Sequence, residues 1–186
     1  MLDNAHRPIT ADEFLEMDLG TDLRCELEDG VIKAMVGGTA AHSRVQRRLM
    51  IYLGNALRGT GCAPFGTDLA VRVSNTAVRY PDLTVHCGRP DAPSNDRARE
   101  LGDPKIVVEV LSPSTAVKDR KVKLGEYQAL PGVDTIVLVD PDGETIQISQ
   151  RLTSETWRDD LVGRKQDVEL PSIGITIPYD EVFARD

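Results

Sequence analysis

Between residues 40 and 58, Val45, Leu49, Leu53, Ala56 and Leu57 recur at the three- and four-residue intervals of an amphipathic helix, after a break at Gly37-Gly38-Thr39. Ahead of that helix the period is two. Leu23-Arg24-Cys25-Glu26-Leu27-Glu28 alternates apolar with polar residues, Asp29-Gly30 supplies a turn and residues 31–36 follow, which predicts a β-hairpin. Thr10, three residues before Glu13, has the spacing of a capping box and opens a shorter helix. Residues 68–73, 82–86 and 105–111 read as strands forming the centre of a sheet. The polar run 88–103, rich in Pro, Asp and Arg, is expected as a surface loop. Residues 117–130 predict a helix stopped by Pro131-Gly132, and an apolar strand at 134–139 follows, so strand, helix and strand form a crossover unit. Short strands around 145–149 and 155–158 suggest a meander, and a last helix is expected at 179–184.

A chain of 186 residues with 40% hydrophobic and 28% charged residues suits one α/β domain over 1–186 with a single core. No apolar run approaches the ~20 residues of a membrane-spanning helix, so no membrane partner is expected. The first eight residues lack the basic stretch, apolar centre and cleavage site of a secretory signal, which points to the cytoplasm. Cys25, Cys62 and Cys87 are odd in number and widely spaced, and they read as reduced thiols. His6, His42 and His86 are equally dispersed and build no local zinc cluster, leaving a hard metal held by oxygen open. A net charge of −8 argues against indiscriminate nucleic-acid binding. Any DNA contact must use a local patch, for which Arg44, Arg47 and Arg48 are the candidates, with Arg58 further along; the same arginines equally suit a solvated helix face.

Glu109 interrupts the apolar run Ile106-Val107-Val108-Glu109-Val110-Leu111. A carboxylate inside a central strand is costly unless a metal, a cation or several donors compensate it; the alternative is that this strand face is wet. Asp82 begins another apolar strand after Pro81, so the two acids converge if their strands are neighbours, and such a pair supplies the oxygens that magnesium or manganese prefers. Taken alone, Pro81-Asp82 is ordinary turn chemistry. Asp119, Lys123 and Tyr127 recur every four residues along one helix face, where Lys123 could reach a metal site or simply form an exposed pair with Asp119.

Together, Tyr80-Pro81-Asp82-Leu83-Thr84-Val85, Val108-Glu109-Val110-Leu111-Ser112-Pro113-Ser114-Thr115, and Asp119, Lys123 and Tyr127 before Gly132-Val133 resemble the Uma-type family of "putative restriction endonucleases", a branch of the PD-(D/E)XK nuclease superfamily. The hairpin Glu26 to Gly30 with Met35, and His42 at the start of the next helix, resemble its N-terminal half. The resemblance runs from about Ile9 to Asp140. It implies a restriction endonuclease-like core, a mixed sheet flanked by helices, with Mg2+ or Mn2+ at Asp82, Glu109 and the Val110 carbonyl. Leu111 stands where the parent motif has lysine, and the Uma-type pattern takes its lysine from the following helix, at Lys123. Glu26 matches a supporting acidic position, with Glu28 the fallback. His42 matches a family histidine open to a helix-capping or a phosphate-contact role. The implied activity is hydrolysis of DNA phosphodiester bonds by a homodimer. The rival readings are a nuclease fold that binds nucleic acid or assembles without turnover, and a hydrolase of smaller phosphate compounds.

Overall fold

A computed structural model of the chain describes residues 7–18, 20, 24–112 and 119–185. Helix α1 (Ala11–Glu16) opens on the expected capping box, the Thr10 hydroxyl accepting from the Glu13 amide and the Glu13 carboxylate from the Thr10 amide. Strands β1 (Cys25–Glu28) and β2 (Val31–Ala34) pair antiparallel as the expected hairpin, with Asp29 and Gly30 left-handed at its turn. The Leu23 end of that hairpin lies outside the described residues. Helix α2 (Ala40–Ala56) is capped by Thr39 and buries Val45, Leu49 and Leu53 along the stripe its period requires.

Next come β3 (Cys62–Gly66), β4 (Val71–Ser74), β5 (Ala77–Arg79), β6 (Leu83–Cys87) and β7 (Ile106–Val110). A π-helical turn at Asp119–Lys123 leads into α3 (Leu124–Gln128), and β8 (Thr135–Asp140) returns parallel to β7, which is the expected crossover. Residues 117 and 118 of the expected helix, and Pro113-Ser114-Thr115 before it, lie outside the described residues. The meander is β9 (Thr145–Arg151) and β10 (Trp157–Val162). After it come a small hairpin, β11 (Val168–Leu170) with β12 (Ile175–Ile177), which the pattern did not predict, and the expected last helix, α4 (Tyr179–Phe183).

The mixed central sheet has six strands in the order β10-β9-β8-β7-β6-β3, and a second sheet of four has the order β2-β1-β5-β4. Two expectations are corrected here. The strand expected at 68–73 is β4, and it belongs to the smaller sheet rather than to the sheet centre, because a tight turn pairs it with β5, which in turn pairs with β1. Its place beside β6 is taken by β3, which contains Pro64 and ends at Gly66; such residues hide a strand from pattern reading but are tolerated on a sheet edge. The cysteines are not all reduced thiols: β3–β6 register sets Cys62 opposite Cys87, and the two form a disulfide, leaving Cys25 free. Their separation of 25 residues gave no hint of a pairing that strand register creates.

Strand β7 divides two cores. Ile106, Val108 and Val110 join the larger one with Val45, Leu49 and Leu53 of α2, while Val107 and Leu111 join Tyr127, Leu130 and Val133 on the opposite face. Alternation puts Glu109 on the second face, the one turned toward α3. A third cluster, Phe14, Leu15, Leu27, Ala70 and Val78, seats α1 on the smaller sheet.

Candidate active site

β6 and β7 are antiparallel neighbours with Leu83 opposite Val108, which brings Asp82, one residue earlier, against the Glu109–Val110 end of β7. The Val110 amide donates to Asp82 Oδ2 at 2.7 Å. From α2, His42 Nε2 meets the same oxygen at 3.1 Å, and Gln46 Nε2 donates to the Asp82 main-chain carbonyl at 2.9 Å. This bond, ahead of the burial that opposes it, raises the His42 imidazole above its ordinary range.

Glu109 is 4% exposed, so it does not point into water. Its Oε1 accepts from the Tyr127 hydroxyl at 2.7 Å and from Lys123 Nζ at 3.2 Å. Lys123 is itself buried and lies 3.0 Å from Glu26 Oε1 and 3.6 Å from Asp119 Oδ1. Burial pulls the Lys123 ammonium down, but Glu109, Glu26 and Asp119 together hold it above its ordinary range, so it stays charged at neutral pH. The four-residue spacing of Asp119, Lys123 and Tyr127 does place all three on one face, and that face is buried against β7.

Arg79, fully buried on β5, completes the arrangement. Its Nε and Nη2 fork onto Glu126 of α3 at 2.7 and 2.6 Å, and Nη1 reaches Glu26 at 3.3 Å. A chain of charges thus runs from α3 through Arg79 and Glu26 to Lys123 and Glu109, tying the smaller sheet to the central one. Glu26, and not Glu28 at the end of β1, is the acid that meets Lys123.

Asp82, Glu109, Val110, Asp119, Lys123 and His42 line one cleft of about 220 Å³. Among the described residues, no three His, Cys, Asp or Glu side chains are set as a ready-made metal cage. The donor set nevertheless suits a magnesium-like ion, which takes one or two carboxylates and fills its shell with water and phosphate oxygen. All hydrogen bonds to the two acidic side chains fall on Asp82 Oδ2 and Glu109 Oε1, leaving Asp82 Oδ1 and Glu109 Oε2 without one among the described residues. The carboxylates of Glu26, Glu109, Asp119 and Glu126 gather around Lys123 and Arg79, and that of Asp82 stands beside them against His42. Burial pushes the Glu109 carboxyl well above the usual range, Lys123 opposes this, and Asp82 and Asp119 add to it. An added divalent charge would favour the ionised form of Glu109.

Arg44, Arg47 and Arg48 do not line the cleft. Arg48 is turned to α4, donating to the carbonyls of Asp180 and Glu181 at 2.9 and 3.0 Å, while Arg47 is exposed. Sequence reasoning missed Gln46, Arg79 and Glu126. Gln46 stands four residues after His42, Glu126 three after Lys123, and Arg79 interrupts the apolar Ala77-Val78 run much as Glu109 interrupts its own.

Comparison with known proteins gives the family and the fold. A family model, Uma2, described as "Putative restriction endonuclease", matches residues 11–178. The chain belongs to the Uma2 family. Two uncharacterized Synechocystis sp. proteins are similar to this Uma2 chain: slr1290 is 30% identical, covering 96% of each chain, and sll1609 is 24% identical, covering 87% of this chain and 92% of its own. The crystal structure of a "putative nuclease belonging to DUF820" from Anabaena variabilis superposes with a TM-score of 0.77 at 20% identity, over 95% of this chain and 98% of that one. The fold of this Uma2 chain is therefore that of a nuclease-like protein, with the restriction endonuclease-like mixed sheet that the resemblance implied. Among the described residues no helix is long and apolar enough to cross a membrane.

Proposed function

We propose that this chain is a divalent-cation-dependent endonuclease that hydrolyses phosphodiester bonds in DNA. One observation carries the reading: two acids from adjoining strands meet in one cleft, each with one oxygen held by two donors and the other left open, beside a buried, charged lysine. Asp82 and Glu109 would hold Mg2+ or Mn2+, with the Val110 carbonyl as a further ligand. The chemistry such an ion supplies when bound is polarisation of a phosphoryl oxygen and acidification of a water.

The chain's own residues do the rest. The Val110 amide and His42 hold Asp82, and Tyr127 and Lys123 hold Glu109, so neither acid has to reorganise when substrate arrives. Lys123, kept protonated by three carboxylates, acts as a fixed positive charge toward the developing phosphorane rather than as a base. Glu26 and Asp119 steady that ammonium, and Tyr127 seats Glu109 from below.

The test is magnesium-dependent cleavage of duplex DNA by the wild type and by Asp82→Ala and Glu109→Gln. Each substitution is expected to lower the rate by at least about 10³-fold, since metal polarisation contributes several kcal/mol to the transition state. Undiminished cleavage by either variant rejects the assignment. A homodimer, with two sites for two strands, belongs to the same proposal and is checked by sedimentation.

A second reading is a nuclease fold that binds nucleic acid or assembles without turnover. It is favoured by the net charge of −8 and by an arginine cluster that stands away from the cleft. Magnesium titration separates the two, because the enzyme must bind the ion at Asp82 and Glu109 and the inactive module need not.

A further inference from the structure

We infer that Gly38, His42 and Gln46 form a positioning device for Asp82, in which His42 acts as a hydrogen-bond donor. This rests on the reading of Asp82 as a metal ligand and assigns a role to a histidine that the resemblance left open.

The device is built into the start of α2. Thr39 Oγ1 accepts the His42 amide at 3.2 Å, which sets the first turn of the helix and the direction from which the imidazole leaves it. Gln46 follows four residues later on the same face. The two side chains grip different parts of one residue: His42 takes the carboxylate and Gln46 the main-chain carbonyl. Side-chain rotation and the peptide plane at Asp82 are thereby both restrained, and Oδ1 is left as the open oxygen. An ionised carboxylate only accepts, so the proton of this hydrogen bond sits on His42 Nε2.

Gly38 sets the ring. A Cβ at residue 38 would lie 2.8 Å from both Cγ and Nδ1 of His42, closer than such atoms come. Cγ is the root of the ring, not a flexible tip, so the ring itself would have to move. The φ of Gly38 is outside the left-handed region, so alanine acts there through this clash and not through backbone strain. Among the described residues Nδ1 makes no hydrogen bond, so the ring is held by its Nε2 contact with Asp82 and by the close approach of Gly38. A positioning donor needs only a fixed ring.

The experiment uses the full chain and two readouts that need no cleavage: Mn2+ affinity by electron paramagnetic resonance, and the His42 Nε2 proton by 15N-edited NMR. His42→Ala is expected to weaken Mn2+ binding by about tenfold or more, the usual effect of removing a group that orients a ligand. His42→Gln, which keeps an N–H donor, recovers most of that loss. Gly38→Ala matches His42→Ala, and the double variant is no weaker than His42→Ala, because both changes remove one interaction. Gln46→Ala gives a smaller loss and serves as the second variant should Gly38→Ala fold poorly.

The inference is overturned if His42→Gln is as weak as His42→Ala, if Gly38→Ala and Gln46→Ala both keep wild-type affinity, or if the losses at 38 and 42 add. Absence of Mn2+ binding in the wild type would instead remove the metal reading. The NMR signal then decides alone: a slowly exchanging Nε2 proton lost in both Gly38→Ala and Asp82→Ala supports the device, and one unchanged in Gly38→Ala rejects it.

Discussion

On the α2 side of β7, Ile106, Val108 and Val110 meet Val45, Leu49 and Leu53 in an aliphatic core. On the α3 side the same strand offers Val107 and Leu111 with Glu109 between them, and there a lysine, an arginine and three more carboxylates gather beside the tyrosine and leucine side chains. The first face is stabilised by removing apolar area from water, which asks only for volume and shape. The second carries a desolvation cost that is offset only while every partner stays in place. Its partners come from β1, β5 and α3, so the chemistry of one strand face depends on elements distant in sequence. Stability can be lost on either face, but on the α3 face the groups that offset one another, Glu109, Asp119 and Lys123, are themselves cleft residues.

The largest stability change is expected from Arg79→Met, which leaves buried Glu26 and half-buried Glu126 with one cation fewer. Breaking a buried pair in this way costs about 3–5 kcal/mol. Denaturant unfolding measures it, and a loss below about 1 kcal/mol would mean that water or relaxation replaces the guanidinium.

Leu53→Ala tests the other face. Fully buried among aliphatic neighbours, it should cost about 2–5 kcal/mol by the same measurement. Mn2+ affinity per folded molecule should stay at the wild-type value, whereas Arg79→Met should lower it. Equal effects of both on affinity would erase the distinction between the faces.

His86 sharpens the comparison with an uncompensated group. It is 2% exposed on β6, its Nε2 has no hydrogen-bond partner among the described residues, and burial pushes its imidazole down to about 4. The unfolded chain takes up this proton near pH 6.5 and the folded one near 4, so the unfolded state binds more protons in that window. Stability from this group is complete above pH 6.5 and falls as pH drops toward 4, by on the order of 3 kcal/mol. The difference between the wild-type and His86→Phe stability curves should show that slope; parallel curves would show that His86 titrates normally. The smallest effect is expected at exposed Arg47, where alanine should change stability by less than about 0.5 kcal/mol. A lowered DNA affinity in Arg47→Ala, read by fluorescence anisotropy, would make the outer face of α2 part of the nucleic-acid surface.

Much of the fold was legible because periodicity and turn chemistry are local. The Thr10–Glu13 cap, the turn at Asp29-Gly30, the α2 stripe and the crossover from β7 to β8 were all expected from their residues. β3 was not, since Pro64 and Gly66 suppress the strand signal, and the Cys62–Cys87 bond followed β3 out of view. At the cleft, Asp82, Glu109 and Lys123 stood out because each breaks an apolar or helical pattern or carries the family resemblance. Arg79 broke a pattern too, but its run of three strand residues was too short to register.

The amino-acid order alone determined most of the helices and strands, though not β3 or the β11–β12 hairpin, and that a carboxylate must lie within an apolar strand, because these follow from the side chains of neighbouring residues. Tertiary structure decided what surrounds that carboxylate. Strand order and register are set by packing across the whole chain, and only they bring Arg79 and Glu26 to Lys123, His42 and Gln46 to Asp82, and Cys62 to Cys87. Charges compensate one another through space, over a few ångströms, so no reading along the chain could show which of its clustered acids would find Lys123 and which Arg79.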